Sequence, residues 1–271
     1  MIRFRRLWAL IVKDLRETFS SLQIMGPLVF VPLVIIVGYP TAYLTSLASV
    51  PDAAGGLRDF ITAFPAAALP AAMHLTTVGR AAYIGVVYLF AGFFLIIPVM
   101  VSTVTAANSF AGEKERRTLE GLLYTPLTDA ELVVGKIAAC FLPAVGFAWI
   151  CFVIYTVIVN SLGGPLVGGL FFPTGNWWAL LVFLVPAVSL FMISLVVLIS
   201  SKARGFQEAN AIGGSITIPV IGLVAAQASG VMVLSAPVII AIAAVLAVLD
   251  FLMLRFIIRV FRRTKVVSYL P

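Results

Sequence analysis

Residues 108–136 read NSFAGEKERRTLEGLLYTPLTDAELVVGK and lie between two long apolar runs. The stretch holds four of the chain's eighteen basic residues and five of its eleven acidic ones. Leu119, Leu122 and Leu123 recur at helical spacing among Glu113, Glu115, Arg116, Arg117 and Glu120, which predicts a short amphipathic helix. Glu113 and Arg117 stand four residues apart with the acid first, the favourable order on a helix. Pro126 ends this helix, because the residue before a proline avoids the helical region. Thr128 precedes Glu131 by three residues, a capping box that opens the next helix. A loop lying on lipid headgroups accounts for the basic residues, but anionic lipid repels five acids and leaves the aligned leucines without a role. The leucine face predicts a docking element.

The chain around it is built for a bilayer. Of 271 residues 62% are hydrophobic and 11% charged, and the mean hydropathy is +1.14. Soluble domains carry about 25% charged residues, so a water-exposed surface of ordinary polarity cannot be made here. The net charge of +7 does not point to nucleic acid, because the basic residues sit at the ends of apolar runs and the aromatics lie inside them. Cys140 and Cys151 fall on one predicted helix about 16 Å apart, too far for a disulfide.

Six apolar stretches reach the roughly 20 residues that cross the hydrocarbon core, near 26–48, 82–107, 137–160, 177–199, 211–229 and 236–256. The short link between the last two leaves the fifth open to being a re-entrant or broken helix. Only Arg58 and Arg80 fall in outer segments if the N-terminus is inside, and every other Lys and Arg is then cytoplasmic. The expected fold is an all-α membrane protein, multi-pass in the cell membrane, with both termini cytoplasmic. Residues 1–25 form an amphipathic helix in the interface plane, its stripe being Phe4, Trp8, Ile11, Leu15, Phe19 and Leu22. Residues 26–256 are the six-span domain, with 108–136 as its coupling loop, and 257–271 are a basic cytoplasmic tail.

Inside the spans the polar residues are few. Asp250 is an intramembrane carboxylate and so a candidate by its position, with a satisfied pair to Arg255 at the inner interface as the favoured reading. Asn160, Asn176 and Gln227 fall near outer ends and are expected to meet water. Trp177 and Trp178 open the fourth span, where indoles favour the headgroup level. Gly164-x-x-x-Gly168 contains Pro165 and is expected in a loop rather than on a helix-dimer face. Prolines 32, 40, 98, 143, 186 and 219 interrupt the spans, as hinges or as ordinary tolerated residues. His74 is the only histidine, and it has no partner ligands for a metal.

GEKERRTLEGLLYTPLTDAELVVGK resembles the cytoplasmic signature between the second and third spans of type-2 exporter ABC transporter permeases. The resemblance rests on Gly112, Glu113, Glu115, Arg116, Thr118, Leu119, Glu120, Leu122, Leu123, Thr125, Pro126, Glu131, Leu132, Gly135 and Lys136. The opening IVKDLRETF is similar to the family's first helix, and Arg117 stands where the family often has glycine. It implies a dimer of permeases, as homodimer or heterodimer, each docking residues 110–126 on an ABC-type ATP-binding subunit. Lys202, Arg204 and Glu208 in SSKARGFQEAN are a second candidate contact. No nucleotide cradle, HExxH or G-x-S-x-G occurs. The chain is therefore expected to be no enzyme, with no cofactor of its own and with ATP and Mg²⁺ bound in the partner. Sparse charge in the spans favours an amphipathic or hydrophobic cargo such as a drug, lipid or peptide. The alternative is a stand-alone secondary transporter or channel, which calls for inverted repeats and midplane polar sites.

Overall fold

The computed structural model describes residues 4–49, 55–62, 64, 72–116, 128–203, 205–215, 217–228 and 234–260. Among them there are helices and no strands. That follows from composition, since continuous apolar runs must satisfy their backbone groups within the segment when water is absent. The first helix, α1, is Phe4–Ser20, and α3, Gly55–Thr62, lies between the first two membrane-length helices. Six helices are long and apolar enough to cross a membrane. They are α2 (Met25–Ala48), α4 (Thr77–Glu115), α5 (Asp129–Val167), α6 (Gly175–Ser200), α7 (Phe206–Gln227) and α8 (Ala236–Val260).

The bundle is organised round α4. In its apolar stretch 78% of residues are buried inside the protein, against 18% for α7 and 17% for α8. Glycines let its neighbours approach. A Cβ on Gly85 would strike the Tyr43 ring of α2, and one on Gly92 would strike the Gln227 side chain of α7. Helices α4 and α5 both overrun the predicted spans at the charged end by about two turns. Hydropathy measures the hydrocarbon crossing, whereas here paired charges let the helices continue past it.

Four π turns break the regular ladder: Val34–Gly38 in α2, Gly85–Leu89 and Ala107–Gly112 in α4, and Leu180–Leu184 in α6. Those in α2 and α6 adjoin Pro40 and Pro186, which lack the N–H that an α turn would use. Neither turn in α4 adjoins a proline. There the carbonyls are taken by side chains from other helices, a recognised cause of local unwinding.

The end remote from the loop is aromatic, and three expectations are corrected there. Trp177 is 1% exposed, packed inside the bundle rather than facing headgroups. Its indole stacks on Tyr155 (4.8 Å between centroids) and meets Phe172 and Phe94 edge-on (4.9 and 5.3 Å). Trp178, the next residue, does face outward, because one step on a helix turns a side chain by about 100°. Gln227 does not meet water. It is fully buried, and its amide donates to the Tyr88 carbonyl (3.0 Å). Asn160 and Asn176 stay partly exposed; Asn160 also donates to the Phe172 carbonyl (2.7 Å), and Asn176 accepts from the Ala236 N–H (2.9 Å). Finally, Gly164 and Pro165 are not in a loop. Helix α5 runs through them to Val167 and closes on Gly168, whose φ of +89° suits glycine.

Candidate functional site: the charged end of the bundle

The loop grows from the ends of α4 and α5, and its stem is a buried ionic cluster. The Lys136 ammonium of α5 donates to the Glu113 carboxylate of α4 (2.6 Å), to the Ser109 carbonyl (2.8 Å) and to the Ser109 hydroxyl (3.3 Å). Asp14 of α1 stands 3.6 Å from the same ammonium and accepts from the Ser109 hydroxyl (3.0 Å). Lys13 closes the ring against Glu113 (2.8 Å), Asp14 (3.5 Å) and Glu17 (3.7 Å). Arg116 pairs with Glu17 and donates to Asn108 (2.9 Å). Three acids therefore meet three cations.

Burial shows why all three elements are needed. Side-chain exposure is 2% for Lys136, 3% for Glu113 and 6% for Asp14. Charges this deep are costly unless paired; Asp14 Oδ1 has no hydrogen-bond partner among the described residues and relies on the Lys13 ammonium at 3.5 Å. The π turn Ala107–Gly112 helps by presenting both the carbonyl and the hydroxyl of Ser109 to Lys136. The Phe110 ring lies 5.4 Å from the ammonium, within cation–π range. Oxygens of Asp14, Glu17 and Glu113 lie within 4.8 Å of one another, a spacing that could hold a metal ion. Lys13, Lys136 and Arg116 already neutralise them, so the chemistry here is a salt-bridge network.

Helix α1 docks through this network. Leu10, Ile11, Asp14 and Thr18 form its buried face, and Leu10 packs on Leu132 of α5. Trp8 and Phe19 from the expected stripe are about half exposed on an adjoining face. Desolvation lowers the Lys13 pKa, but the hydrogen bond and charge of Glu113, with Asp14 and Glu17, outweigh it, so the ammonium ends above its usual 10.5. Its pairing energy is thus present below pH 10.5 and lost as pH rises through the higher folded value. A spin label at Phe19→Cys should keep its mobility from pH 7 to 10 and loosen above 10.5. Loosening below pH 9 would show that Lys13 does not hold the helix.

The second loop is tied to the same stem by residues other than the expected ones. Lys114 donates to the carbonyls of Ser201 (3.3 Å) and Ala203 (3.0 Å), capping the end of α6. Glu115 accepts from the Phe206 N–H (2.9 Å) at the start of α7, where an acid suits the helix dipole. Lys202 and Glu208 are exposed, and Arg204 lies outside the described residues.

The predicted loop residues divide in the same way. Gly112 and Glu113 are buried, while Glu115 and Arg116 are exposed but bonded to α7 and α1. Arg117, Thr118, Leu119, Glu120, Leu122, Leu123 and Pro126 lie outside the described residues. The capping box forms as predicted, with the Glu131 N–H donating to the Thr128 hydroxyl (3.2 Å) and the Thr128 N–H to the Glu131 carboxylate (2.9 Å). Sequence reasoning missed the cluster partners Lys13, Asp14, Glu17, Asn108 and Ser109. A signal was present: two acids on a helix meant for anionic headgroups require cations from elsewhere.

Asp250 does not pair with Arg255. It is buried, and neither carboxylate oxygen has a hydrogen-bond partner among the described residues. The Arg255 guanidinium instead lies over the Phe251 ring at 4.2 Å. Five residues turn a helix by about 140° beyond one full circle, so the two side chains leave α8 on different sides.

A family model described as ABC-2 family transporter protein matches residues 8–263. No curated protein and no solved structure matches the chain.

Proposed function

The chain belongs to the ABC-2 family of transporter proteins, as a multi-pass membrane subunit of an ABC transporter, and from that premise we propose that its charged end receives mechanical work from a separate ATPase. The observation that carries this reading is the buried Lys136–Glu113 pair at the loop's stem, shared with Asp14 of α1. A force applied to residues 117–127 reaches α4 and α5 through that pair and α1 through Asp14 and Glu17. Lys114 and Glu115 hand it on to α6 and α7. A flexible loop would absorb the push, whereas a stem pinned by the buried Lys136–Glu113 pair transmits it.

In this reading Leu119, Leu122 and Leu123 fill an apolar groove on the ATP-binding subunit, with Thr118, Glu120 and Arg117 at its rim and Pro126 ending the helix. Lys202, Arg204 and Glu208 make a second, polar contact. Both ATP and Mg²⁺ are bound by the partner, and the charged end faces the cytoplasm, as its lysines and arginines favour. Helix α1 lies in the headgroup plane of the cell membrane with Trp8 and Phe19 toward lipid. A second permease chain completes the pathway, and export of an amphipathic or hydrophobic cargo suits spans with so few charges.

The test is co-purification. The full chain, solubilised with its membrane partners, should bring down an ATP-binding subunit. Changing Leu119, Leu122 and Leu123 together to aspartate should abolish that capture while leaving the bundle folded, since these residues lie beyond the stem. Retention of the subunit by the triple variant would reject the coupling role. Ion conduction by the isolated chain in liposomes would favour a channel instead.

A further inference from the structure

Three consecutive carbonyls of α4 are bound by three different helices. Within the π turn Gly85–Leu89, the Val86 carbonyl accepts from the Tyr155 hydroxyl of α5 (2.9 Å). Val87 accepts from the Trp177 indole of α6 (2.9 Å), and Tyr88 accepts from the Gln227 amide of α7 (3.0 Å). One turn earlier, outside the π turn, Ala81 accepts from the Tyr43 hydroxyl of α2 (2.8 Å). Tyr155, Trp177 and Gln227 are all buried. Neighbouring residues of a helix point about 100° apart, so three successive carbonyls address three separate neighbours.

A π turn closes i to i+5 and so carries one residue more than an α turn. Moving that residue along the helix would rotate all three carbonyls away from their donors at once. No proline holds the irregularity in place, as Pro98 lies more than two turns further on. The donors themselves keep the turn where it is. Gln227 is only half used, because its side-chain oxygen has no hydrogen-bond partner among the described residues. It stands against Gly92, an acceptor already in place for a backbone N–H that such a movement frees.

We propose that Gly85–Leu89 is a slip joint. Its extra residue migrates along α4, and Tyr155, Trp177 and Gln227 then change carbonyl partners together, so α5, α6 and α7 shift as one unit at the aromatic end. Packed interiors favour such discrete alternatives over continuous bending. The joint belongs to the chain itself and does not depend on the ATPase reading.

Amide hydrogen exchange of the full chain in lipid nanodiscs tests it. Tyr155→Phe, Trp177→Phe and Gln227→Leu should each speed exchange across the whole of residues 84–91 by about tenfold, the loss of one net hydrogen bond. Tyr43→Phe, whose carbonyl partner is shared with the Gly85 N–H and lies outside the π turn, should leave residues 86–91 unchanged. If each donor variant speeds only the amides beside its own carbonyl, the three bonds are independent and the joint is refuted. Deleting Val87 removes the extra residue, and the same stretch should then exchange more slowly than in the parent chain. Faster exchange in the folded deletion variant would also refute it, and should that variant fail to fold, the three donor variants decide alone.

Discussion

Replacing Lys136 by methionine is expected to cost roughly 3–5 kcal/mol of folding stability, the penalty for stranding a buried charge. The substitution keeps the volume and the helix propensity of the site. What it removes is the cation that lies between Glu113 at 2.6 Å and Asp14 at 3.6 Å. Lys13 remains near both carboxylates, but its side chain is 47% exposed and it cannot satisfy the buried face of either. The effect should appear as a lower midpoint of thermal unfolding in detergent and a smaller folded yield. Adding Glu113→Leu to Lys136→Met restores the charge balance and should recover most of the loss, since a buried pair replaced whole is often close to neutral. If the single variant is as stable as the parent, or the double variant is the worse of the two, the stem is not held by this network. The pairing that is expensive to break singly is also the one through which the proposed push would have to pass.

Trp177→Ala should be nearly as damaging, at about 3–5 kcal/mol, the usual range for deleting a buried aromatic. The cause differs from that in a soluble protein. Lipid tails and detergent are as apolar as the core, so little is gained by removing an indole from its surroundings. What the substitution forfeits is contact: the stacked Tyr155 ring, the edges of Phe172 and Phe94, and the hydrogen bond to the Val87 carbonyl. The neighbouring Trp178 is 46% exposed, and Trp178→Ala should cost much less by the same thermal measurement. Equal losses at the two positions would mean that the buried aromatic cluster contributes no special packing.

The elements that sequence reading placed correctly are those set by local physics. Six membrane-length helices follow from apolar run length, and the Thr128–Glu131 box follows from a spacing of three residues. The side-chain predictions that failed each required knowing which side of a helix a neighbour occupies. Position along the span points Gln227 to water and Trp177 to headgroups, yet both turn inward onto carbonyls of α4. Closeness in sequence suggests a pair between Asp250 and Arg255, although the helix places them on different sides.

The charge ring divides along the same line. Glu113 and Lys136 stand out in the sequence as part of a charged loop, and both fall in the stretch that carries the family resemblance. Nothing local indicates that they bond to each other or that Lys13, Asp14 and Glu17, about a hundred residues earlier, close the network. By itself the sequence determined the membrane class, the number of long helices, the capped entry to α5 and the family. Tertiary structure alone decided that α1 is locked to the loop's stem by buried charge and that α4 serves as the carbonyl hub of the bundle. The reason is physical: hydropathy and capping act over a few adjacent residues, whereas burial of a charge or a carbonyl depends on partners that only packing brings within 3 Å or so.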